Sequence, residues 1–468
     1  MDFDDRVEEQ HYAKVENWFQ QLKKEAPNVD TWISTFRHGD PCTPLKKQML
    51  GSFNWCFTVR FFSDNTKWVV RFAMPGKVMD PDGKLIREVA TLRFLKEKTS
   101  IPVPTVHGWG TATENPLGLG AFVIMDFIEG VSLVDLWSDR PEPAGKRIFK
   151  TGIPDLDVRY VYRQISSFLL EQQDFPFKRI GSLAATSDGT FEASVPPLTH
   201  KMQEINAHAG IPVGGGPSDT FTTTTDYFNH VASLSLRQLE EQANSIDDAE
   251  DGRQKYINQK RFEASISRFV DTEHDNGSTY LTCDDFRLGN MLVRSETDLT
   301  IVAVLDWEWS YAAPYQMFAS PPRWLVIDLP YEFDDDKYEQ YTKLLDTFLE
   351  VLDEEESKRC HSDGCSTSNG NSQAITVTPP IDPSRARLST RMRRTLEDGK
   401  FWFHELLQNC YIGADNEPWW RLTQQYPDLL NLPVDEQDVE AFVARKMKDK
   451  EEYDADRQRT LACREHSR

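Results

Sequence analysis

The spacing of hydrophobic residues changes near residue 130, and this change limits the folds that the chain can adopt. Between residues 45 and 73, apolar and polar residues alternate in the segments LKKQML, WCFTVRFFS and KWVVRFA. This pattern predicts three antiparallel strands with tight connections. Beyond residue 130 apolar residues recur at helical spacing, as in VRYVYRQISSFLLEQQ. The sequence therefore predicts a small strand-rich lobe, a larger helical lobe and a cleft between them.

The chain has 468 residues, and its composition varies enough to predict five regions. The segment SDGCSTSNGNSQ and the acids before it favour disorder over a packed core. The predicted regions are an N-terminal helical extension (1–44), a strand-rich small lobe (45–129), a helical lobe (130–352), a disordered insert (353–388), and C-terminal helices with a charged tail helix (389–468).

The charge and cysteine content exclude several classes of partner. The formal net charge is −22, which disfavours binding to nucleic acids or to anionic membranes. The start of the chain, MDFDDRVEEQ, lacks the pattern of a signal peptide, and no apolar run approaches the roughly 20 residues of a membrane helix. Seven scattered cysteines are typical of a reduced compartment. We therefore expect a cytoplasmic protein with no nucleic-acid or membrane partner, and its oligomeric state stays open.

Two neighbouring segments, YLTCDDFRLGNMLVR and LTIVAVLDWEW, concentrate acidic residues between short strands. We predict one small hairpin with short strands at Tyr280–Cys283 and Met291–Arg294 and a longer strand at Leu299–Asp306, joined to the second by the turn SETD. The lengths of these strands bring Asp306, at the end of the last one, back to Asn290 and Asp285. Converging buried carboxylates need a cation beside them. Oxygen ligands of this kind suit Mg²⁺ held jointly with phosphates, which predicts Asn290 and Asp306 as metal ligands and ATP as the nucleotide. Asp285 is then left to orient the hydroxyl of a small-molecule acceptor and to accept its proton.

A phosphoryl-transfer site also needs a cation for the nucleotide phosphates. Arg71 lies in the apolar strand KWVVRFA, where a buried charge requires a partner. Glu88 is an acid on the inward apolar stripe of the next predicted helix. We predict that Arg71 and Glu88 form an ion pair between the strand and the helix. The alternative is a purely structural salt bridge.

Two further segments of the small lobe are candidate nucleotide contacts. Gly51 and Ser52, between the first two strands, form the predicted turn over the phosphates. Met125 to Phe127 ends the last strand of the small lobe and is the predicted connector whose backbone binds adenine. The side chains of Met125 and Phe127 are otherwise explained by packing.

The pattern C-x-D-x₄-N from Cys283 to Asn290, followed by DWE at 306–308, resembles the catalytic and metal-binding segments of the aminoglycoside phosphotransferase/choline kinase family. The order of the lobes and the phrases PPRWLVIDLP and LEDGKFWFHELL fit as well. The resemblance implies a protein-kinase-like two-lobed α+β fold, with a small antiparallel β-sheet lobe and a larger mainly helical lobe. It also implies ATP and Mg²⁺, a catalytic base at Asp285, and metal ligands at Asn290 and Asp306.

The sequence departs from this family at two positions. The family usually has His where Cys283 stands and Gly where Asp284 stands, and we interpret Asp284 as a solvated loop residue. The leading hypothesis is a kinase that acts on a small-molecule hydroxyl. A non-catalytic, nucleotide-binding pseudokinase is the second hypothesis. A metal-dependent glycosyl- or nucleotidyltransferase is the third, and absence of contact between Arg71 and Glu88 would favour it.

Overall fold

The small lobe is built on a six-stranded antiparallel sheet in the order β1–β3–β4–β6–β5, with β2 beside β3. The computed structural model describes residues 4–45, 49–140, 146–213, 220–363, 387–408, 413 and 416–466. The strands of this sheet are β1 Cys42–Pro44, β2 Met49–Leu50, β3 Asn54–Phe61, β4 Lys67–Ala73, β5 Val106–Gly110 and β6 Phe122–Asp126. The three strands predicted between residues 45 and 73 correspond to β2, β3 and β4.

Three helices cover the two faces of this sheet: α1 Asp5–Glu25, α2 Val29–Thr35 and α3 Pro81–Lys98. Alternation along β4 sends Val70 and Phe72 into a cluster with α1 and α2, whereas Val69 packs with α3. Arg71 has the same parity as Val69 and therefore faces α3. Helix α3 begins where Asp80 accepts a hydrogen bond from the backbone N–H of Gly83, at 2.9 Å.

The N-terminal helix α1 contacts both lobes. In the small lobe, the indole N–H of Trp18 donates to the carbonyl oxygen of Leu119 at 3.0 Å. At the other end, the N–H of Asp4 donates to the carbonyl of His208 in the helical lobe at 2.9 Å. The region predicted as a helical extension also contributes β1 to the sheet, so it is packed into the protein rather than appended to it.

The connection between the lobes runs past Gly130, where a Cβ atom would lie 2.8 Å from the carbonyl oxygen of Val293. The helical lobe then contains eleven helices among the described residues. They are α4 Leu133–Trp137, α5 Asp155–Gln173, α6 His200–Ala209, α7 Thr224–Glu241, α8 Ala249–Phe269, α9 Tyr315–Phe318, α10 Asp335–Asp363, α11 Leu388–Glu397, α12 Lys400–Gln408, α13 Glu417–Gln425 and α14 Glu436–His466. The fold class predicted from the sequence, a small antiparallel lobe followed by a larger helical lobe, is confirmed.

Short ribbons in the helical lobe replace the single hairpin that the sequence predicts. The strands are β7 Val131–Ser132, β8 Ser138–Asp139, β9 Ile148–Phe149, β10 Ser182–Ala185, β11 Phe191–Val195, β12 Thr279–Cys283, β13 Met291–Val293, β14 Ile301–Val304 and β15 Ser310–Pro314. Strand β12 pairs with β15, and β13 pairs with β14 and β7. The fully buried segment SYAAP returns as β15 and takes the place beside β12. The acidic loop therefore bridges two ribbons.

The predicted disorder of 353–388 is wrong at its start, because α10 continues through Asp363. Val351 and Leu352 are fully buried on α10, and the Glu356 carboxylate accepts the N–H of Leu388 at 2.6 Å, at the start of α11. These contacts order the acidic run despite its composition. Residues 364–386 of the predicted insert lie outside the described residues.

The charged tail helix predicted near the C-terminus is α14. Its thin apolar side packs on α8, where the rings of Phe442 and Tyr256 stack with centroids 4.4 Å apart. Within the described parts of the chain, none of the helices combines the length and the apolar character that crossing a membrane requires.

Candidate active site

Asp285, Asn290 and Asp306 meet at one end of the two ribbons. The side-chain amide of Asn290 donates to Oδ2 of Asp285 at 3.0 Å and to the Asp285 carbonyl at 2.8 Å. The N–H of Leu305 donates to the carbonyl of Asn290 at 2.8 Å, which holds the start of the Asp306 turn against the loop. The convergence predicted from strand lengths is present, although it is reached through β13–β14 and β12–β15 rather than one hairpin.

Asp306 has an unusual backbone conformation, with φ of +56°. Non-glycine residues rarely adopt this left-handed region, and such residues are concentrated at functional sites. Its side chain is 41% exposed and faces the cleft, where Oδ1 lies 3.0 Å from Nη1 of Arg71. Desolvation raises the pKa of Asp306 to about 6, Arg71 opposes that rise, and the carboxylates of Glu308 and Glu88 add to it. Asp306 is thus an acid that gains from a cation beside it.

Arg71 and Glu88 are in direct contact, as the sequence predicts. Both side chains are almost fully buried, at 7% and 2% exposure. Arg71 also approaches Asp306 and lies 3.8 Å from the carboxylate of Glu308. A guanidinium with several donors in a fixed fork can contact more than one acid at once. The pair therefore connects the small lobe to the acidic segment of the helical lobe.

A second buried ion pair, Lys84 with Glu308, was missed by the sequence analysis. Lys84 contacts Glu308, and the side-chain amide of Asn54 donates to Glu308 at 2.9 Å. Burial acts to raise the pKa of Glu308, but Lys84 and Arg71 outweigh it and hold this pKa at about 2. The available signal was the i, i+4 spacing of Lys84 and Glu88, which places both on one face of α3.

The turn at Gly51 and Ser52 lies over the cleft. The N–H of Gly51 bonds the carbonyl of Asn54 at 2.9 Å and closes the β2–β3 connection. The next residue, Phe53, places its ring against those of Trp309 and His200, with centroids 5.5 and 6.1 Å away. The turn is thereby held close to the loop that carries Asp285.

The other predicted nucleotide contacts lie on the α3 face of the sheet. Met125 is 7% exposed in β6 and packs with Val69 and Val89. Phe127 follows β6, packs against the same cluster, and donates its N–H to the carbonyl of Lys67 at 3.1 Å. The structure therefore gives Met125 a packing role in the sheet, and a nucleotide contact at these two residues stays a prediction.

The two positions that depart from the family pattern have distinct environments. Cys283 is buried, and its thiol lies 3.5 Å from the backbone carbonyl of Asp306, to which it can donate. Burial raises the pKa of this thiol far above its ordinary value, which disfavours the thiolate form that a nucleophile requires. The interpretation of Asp284 as a solvated residue is wrong. Its Oδ2 accepts the N–H of His200 at 3.0 Å, and Oδ1 is buried without a hydrogen-bond partner among the described residues.

Asp285 lies between two orienting groups. Besides Asn290, the guanidinium Nε of Arg287 lies 2.8 Å from Oδ1 of Asp285. Burial raises the pKa of Asp285, whereas Arg287 and Asn290 lower it. The Asp285 side chain is itself 22% exposed and lines the cavity, so part of this carboxylate is open to the cleft.

Comparisons with known proteins give partial similarity. No family model matches the chain. A subtelomeric hrmA-associated cluster protein of Aspergillus fumigatus is 28% identical over 158 residues, which are 34% of this chain and 28% of that protein. An altered inheritance of mitochondria protein 9 of Zygosaccharomyces rouxii is 32% identical over 107 residues, 23% of this chain and 16% of that protein. The chain thus spans less than a third of the length of these curated relatives.

Two solved structures are similar over most of the chain. A protein described as an aminoglycoside phosphotransferase, from Ralstonia eutropha, is 14% identical with a TM-score of 0.40, covering 86% of this chain and 98% of that one. An ethanolamine kinase of Plasmodium vivax is 12% identical with a TM-score of 0.38, covering 88% of this chain and 82% of that one. At these TM-scores the superposition is loose, and the function proposed below rests on the geometry of the cleft.

Proposed function

We propose that the chain is an ATP- and Mg²⁺-dependent phosphotransferase that acts on a hydroxyl of a small molecule. The observation that carries this proposal is the convergence of Asp285, Asn290 and Asp306 beneath the buried pair of Arg71 and Glu88. In the reaction, the acceptor oxygen bonds to the γ-phosphorus while the bond from that phosphorus to the ADP oxygen breaks. The hydroxyl proton passes to Asp285.

Asp285 suits the role of proton acceptor for two reasons. Its raised pKa makes it a better base than an ordinary aspartate, and the open side of its carboxylate faces the cleft. Asn290 and Arg287 hold its two oxygens and so fix the direction from which a hydroxyl can approach. Orientation of this kind supports an in-line displacement, in which positioning supplies much of the catalysis.

Asn290 and Asp306 would hold the metal. Amide and carboxylate oxygens are the donors that Mg²⁺ prefers, and it completes its shell with water and phosphate oxygens. When bound, Mg²⁺ neutralises charge on the nucleotide phosphates. Asp306 reaches the open cleft with 41% of its side chain exposed, and its elevated pKa indicates that its charged form lacks enough positive charge nearby. Arg71 supplies part of that charge through its contact with Asp306 at 3.0 Å.

A pseudokinase is the second candidate. Arg71 already contacts or approaches three carboxylates, those of Glu88, Asp306 and Glu308, and a cation so fully engaged has less to offer a phosphate. The third hypothesis, a glycosyl- or nucleotidyltransferase, was tied to the absence of contact between Arg71 and Glu88, and that contact is present.

The acceptor that we propose is a free small molecule. A net charge of −22 opposes docking on a nucleic acid or on an anionic membrane, because both carry negative charge themselves. We therefore expect neither a nucleic acid nor an anionic membrane to deliver the hydroxyl.

ATP turnover in the presence of a fractionated metabolite extract tests the proposal. We expect ADP release that requires both Mg²⁺ and one of the fractions, with a phosphate monoester as the second product. Chelation of Mg²⁺ by EDTA should stop the reaction, and added Mg²⁺ should restore it. ATP binding measured by calorimetry without turnover in any fraction would support the pseudokinase, and failure to bind ATP would contradict both candidates.

A further inference from the structure

A cavity of about 880 Å³ opens beside Asp285 and continues into the helical lobe. Exposed side chains such as Glu8 and Lys77 mark its mouth, and Leu281 and Met392, each about 1% exposed, mark its inner end. The volume lies near the upper end of the roughly 300–1,000 Å³ typical of pockets for drug-sized ligands. The cavity is therefore larger than a short, simple alcohol requires.

The inner part of the cavity, which we call the inner chamber, has apolar walls. Its walls are formed by Leu169, Leu281, Met317, Phe318, Trp324 and Met392. Phe286, the residue after Asp285, connects this chamber to the proposed base. Its ring lies 6.0 Å from that of Trp307 and 5.8 Å from that of Trp324, between centroids. A path of aromatic surface thus leads from Asp285 into the chamber.

Two polar groups beside the inner chamber, His404 and the pair of Arg323 with Glu405, have partners within the protein. The ring nitrogens of His404 lie 2.9 Å from the Gln316 amide and 3.2 Å from the Ser320 hydroxyl. Burial lowers the pKa of His404 to about 3, so its ring is neutral. Arg323 lies 3.0 Å from the carboxylate of Glu405, whose pKa burial raises to about 7 against the opposing effect of Arg323. At these positions the inner chamber therefore presents a neutral ring and an ion pair rather than a single charge.

We propose that the acceptor is an alcohol with a largely apolar, ring-containing body. The position of its hydroxyl at Asp285 rests on the proposed function, whereas binding of its body rests on the inner chamber alone. Apolar chambers hold water poorly and gain from filling by apolar groups. Aromatic rings along Phe286, Trp307 and Trp324 favour a ring in edge or offset contact.

A series of phenylalkanols tests this proposal against hydrophilic alcohols. The probes are benzyl alcohol, 3-phenyl-1-propanol and 5-phenyl-1-pentanol, with glycerol and choline as the hydrophilic set. Calorimetry without nucleotide measures binding, and mass spectrometry after incubation with ATP and Mg²⁺ detects the phosphate ester. We expect affinity to rise roughly threefold to fourfold for each added methylene. Tighter binding of glycerol or choline than of every phenylalkanol would overturn the proposal.

Filling the chamber provides the matched variants. Met392→Trp reduces the inner end, and Ile327→Trp, at a half-buried lining position, does so with less risk to folding. Either change should weaken 5-phenyl-1-pentanol at least tenfold and leave ATP affinity unchanged. Leu156→Trp, at a side chain that is 81% exposed, is the control and should change neither affinity. Unaltered phenylalkanol binding in folded Ile327→Trp would also overturn the proposal.

The same experiment separates failure of this inference from failure of the proposed function. Chamber-dependent binding of phenylalkanols without ester formation, together with no ADP release in any metabolite fraction, would contradict the phosphotransferase and leave the apolar ligand class intact. Formation of a phosphate ester only on the hydrophilic alcohols would contradict the apolar ligand class and support the phosphotransferase.

Discussion

The two walls of the cleft differ in how they accommodate change. Where the small lobe meets the acidic segment, a charged wall consists of Arg71, Lys84 and Glu88 of the small lobe and Glu308 of the helical lobe, all of them nearly fully buried and in contact with opposite charges. On the helical-lobe side, the inner chamber is apolar and contains unfilled volume. Removing one member of a buried ion pair leaves its partner uncompensated, at a cost of about 3–5 kcal/mol. The charged wall therefore tolerates few substitutions, whereas the inner chamber can vary with its ligand.

The charged wall and the inner chamber meet at Asp285, and we predict that the rate of phosphoryl transfer depends most strongly on this residue. Asp285→Asn keeps the size and the bond to Asn290 but removes the proton acceptor. We expect kcat to fall by about 10²–10⁴-fold, the usual contribution of a general base. ATP affinity should persist, because ground-state binding does not use the acceptor's proton. Steady-state ADP release measures the first quantity, and calorimetry the second.

Asp284→Asn is the matched control for that experiment. It makes the same change at the adjacent acid, whose Oδ2 accepts the His200 N–H, and an amide oxygen can accept the same bond. Turnover should stay within about tenfold of wild type, since a lost neutral hydrogen bond costs about 1 kcal/mol. Equal losses of turnover in the two variants would show that turnover depends on the conformation of the loop rather than on the Asp285 carboxylate.

Substitution of Asp306 tests whether Mg²⁺ binds beside the charged wall. Asp306→Ala should lower Mg²⁺-dependent turnover by about 10²–10³-fold, in the range found when a group that stabilises transition-state charge is removed. The fold should survive, because the side chain is partly exposed. ADP release measured against Mg²⁺ concentration gives the result, with Asp298→Ala on the surface turn as the control. Turnover within a few-fold of wild type at low Mg²⁺ would exclude Asp306 as a ligand.

A double-mutant cycle on Arg71 and Glu88 tests whether the two residues contribute jointly to ATP binding. Each single alanine variant should raise the KM for ATP by roughly tenfold, equal to ~1.4 kcal/mol, as expected for a hydrogen bond to a charged group. The double variant should be little worse than either single one, because the contact is lost in all three. Fully additive effects in this double-mutant cycle would show that the two residues contribute independently.

The charged wall was the more predictable of the two from the sequence. A charge in an apolar strand, such as Arg71, requires a partner, and helical spacing pointed to Glu88. The end of a strand likewise brought Asp306 to Asn290. Such pairings are local or follow from strong energetic penalties, so a short pattern suffices to indicate them. Lys84 escaped notice because its partner Glu308 lies on the other lobe, 224 positions away in the numbering.

The inner chamber could not be predicted from the sequence. Its walls come from α5, β12, α9, α11 and the segment between α9 and α10, and no spacing in the sequence relates them. Apolar residues in helices usually form core, and only the packing of whole helices decides where volume is left. The prediction that β12 pairs with the next strand in sequence was wrong for a related reason. Strand β12 pairs instead with β15, and no local pattern indicates that partner.

Cys283 offers the smallest expected effect, because it supports the junction without taking part in the chemistry. Its thiol lies 3.5 Å from the carbonyl of Asp306 and so ties the β12 end to the Asp306 turn. Cys283→Ser keeps a donor of similar size, and we expect turnover within a few-fold of wild type, since one hydrogen bond contributes about 1 kcal/mol. Cys283→His, which restores the residue usual in the resembling family, should keep or raise turnover. Steady-state ADP release distinguishes the outcomes, and a Cys283→Ser variant as inactive as Asp285→Asn would overturn the assignment of a purely supporting role to Cys283.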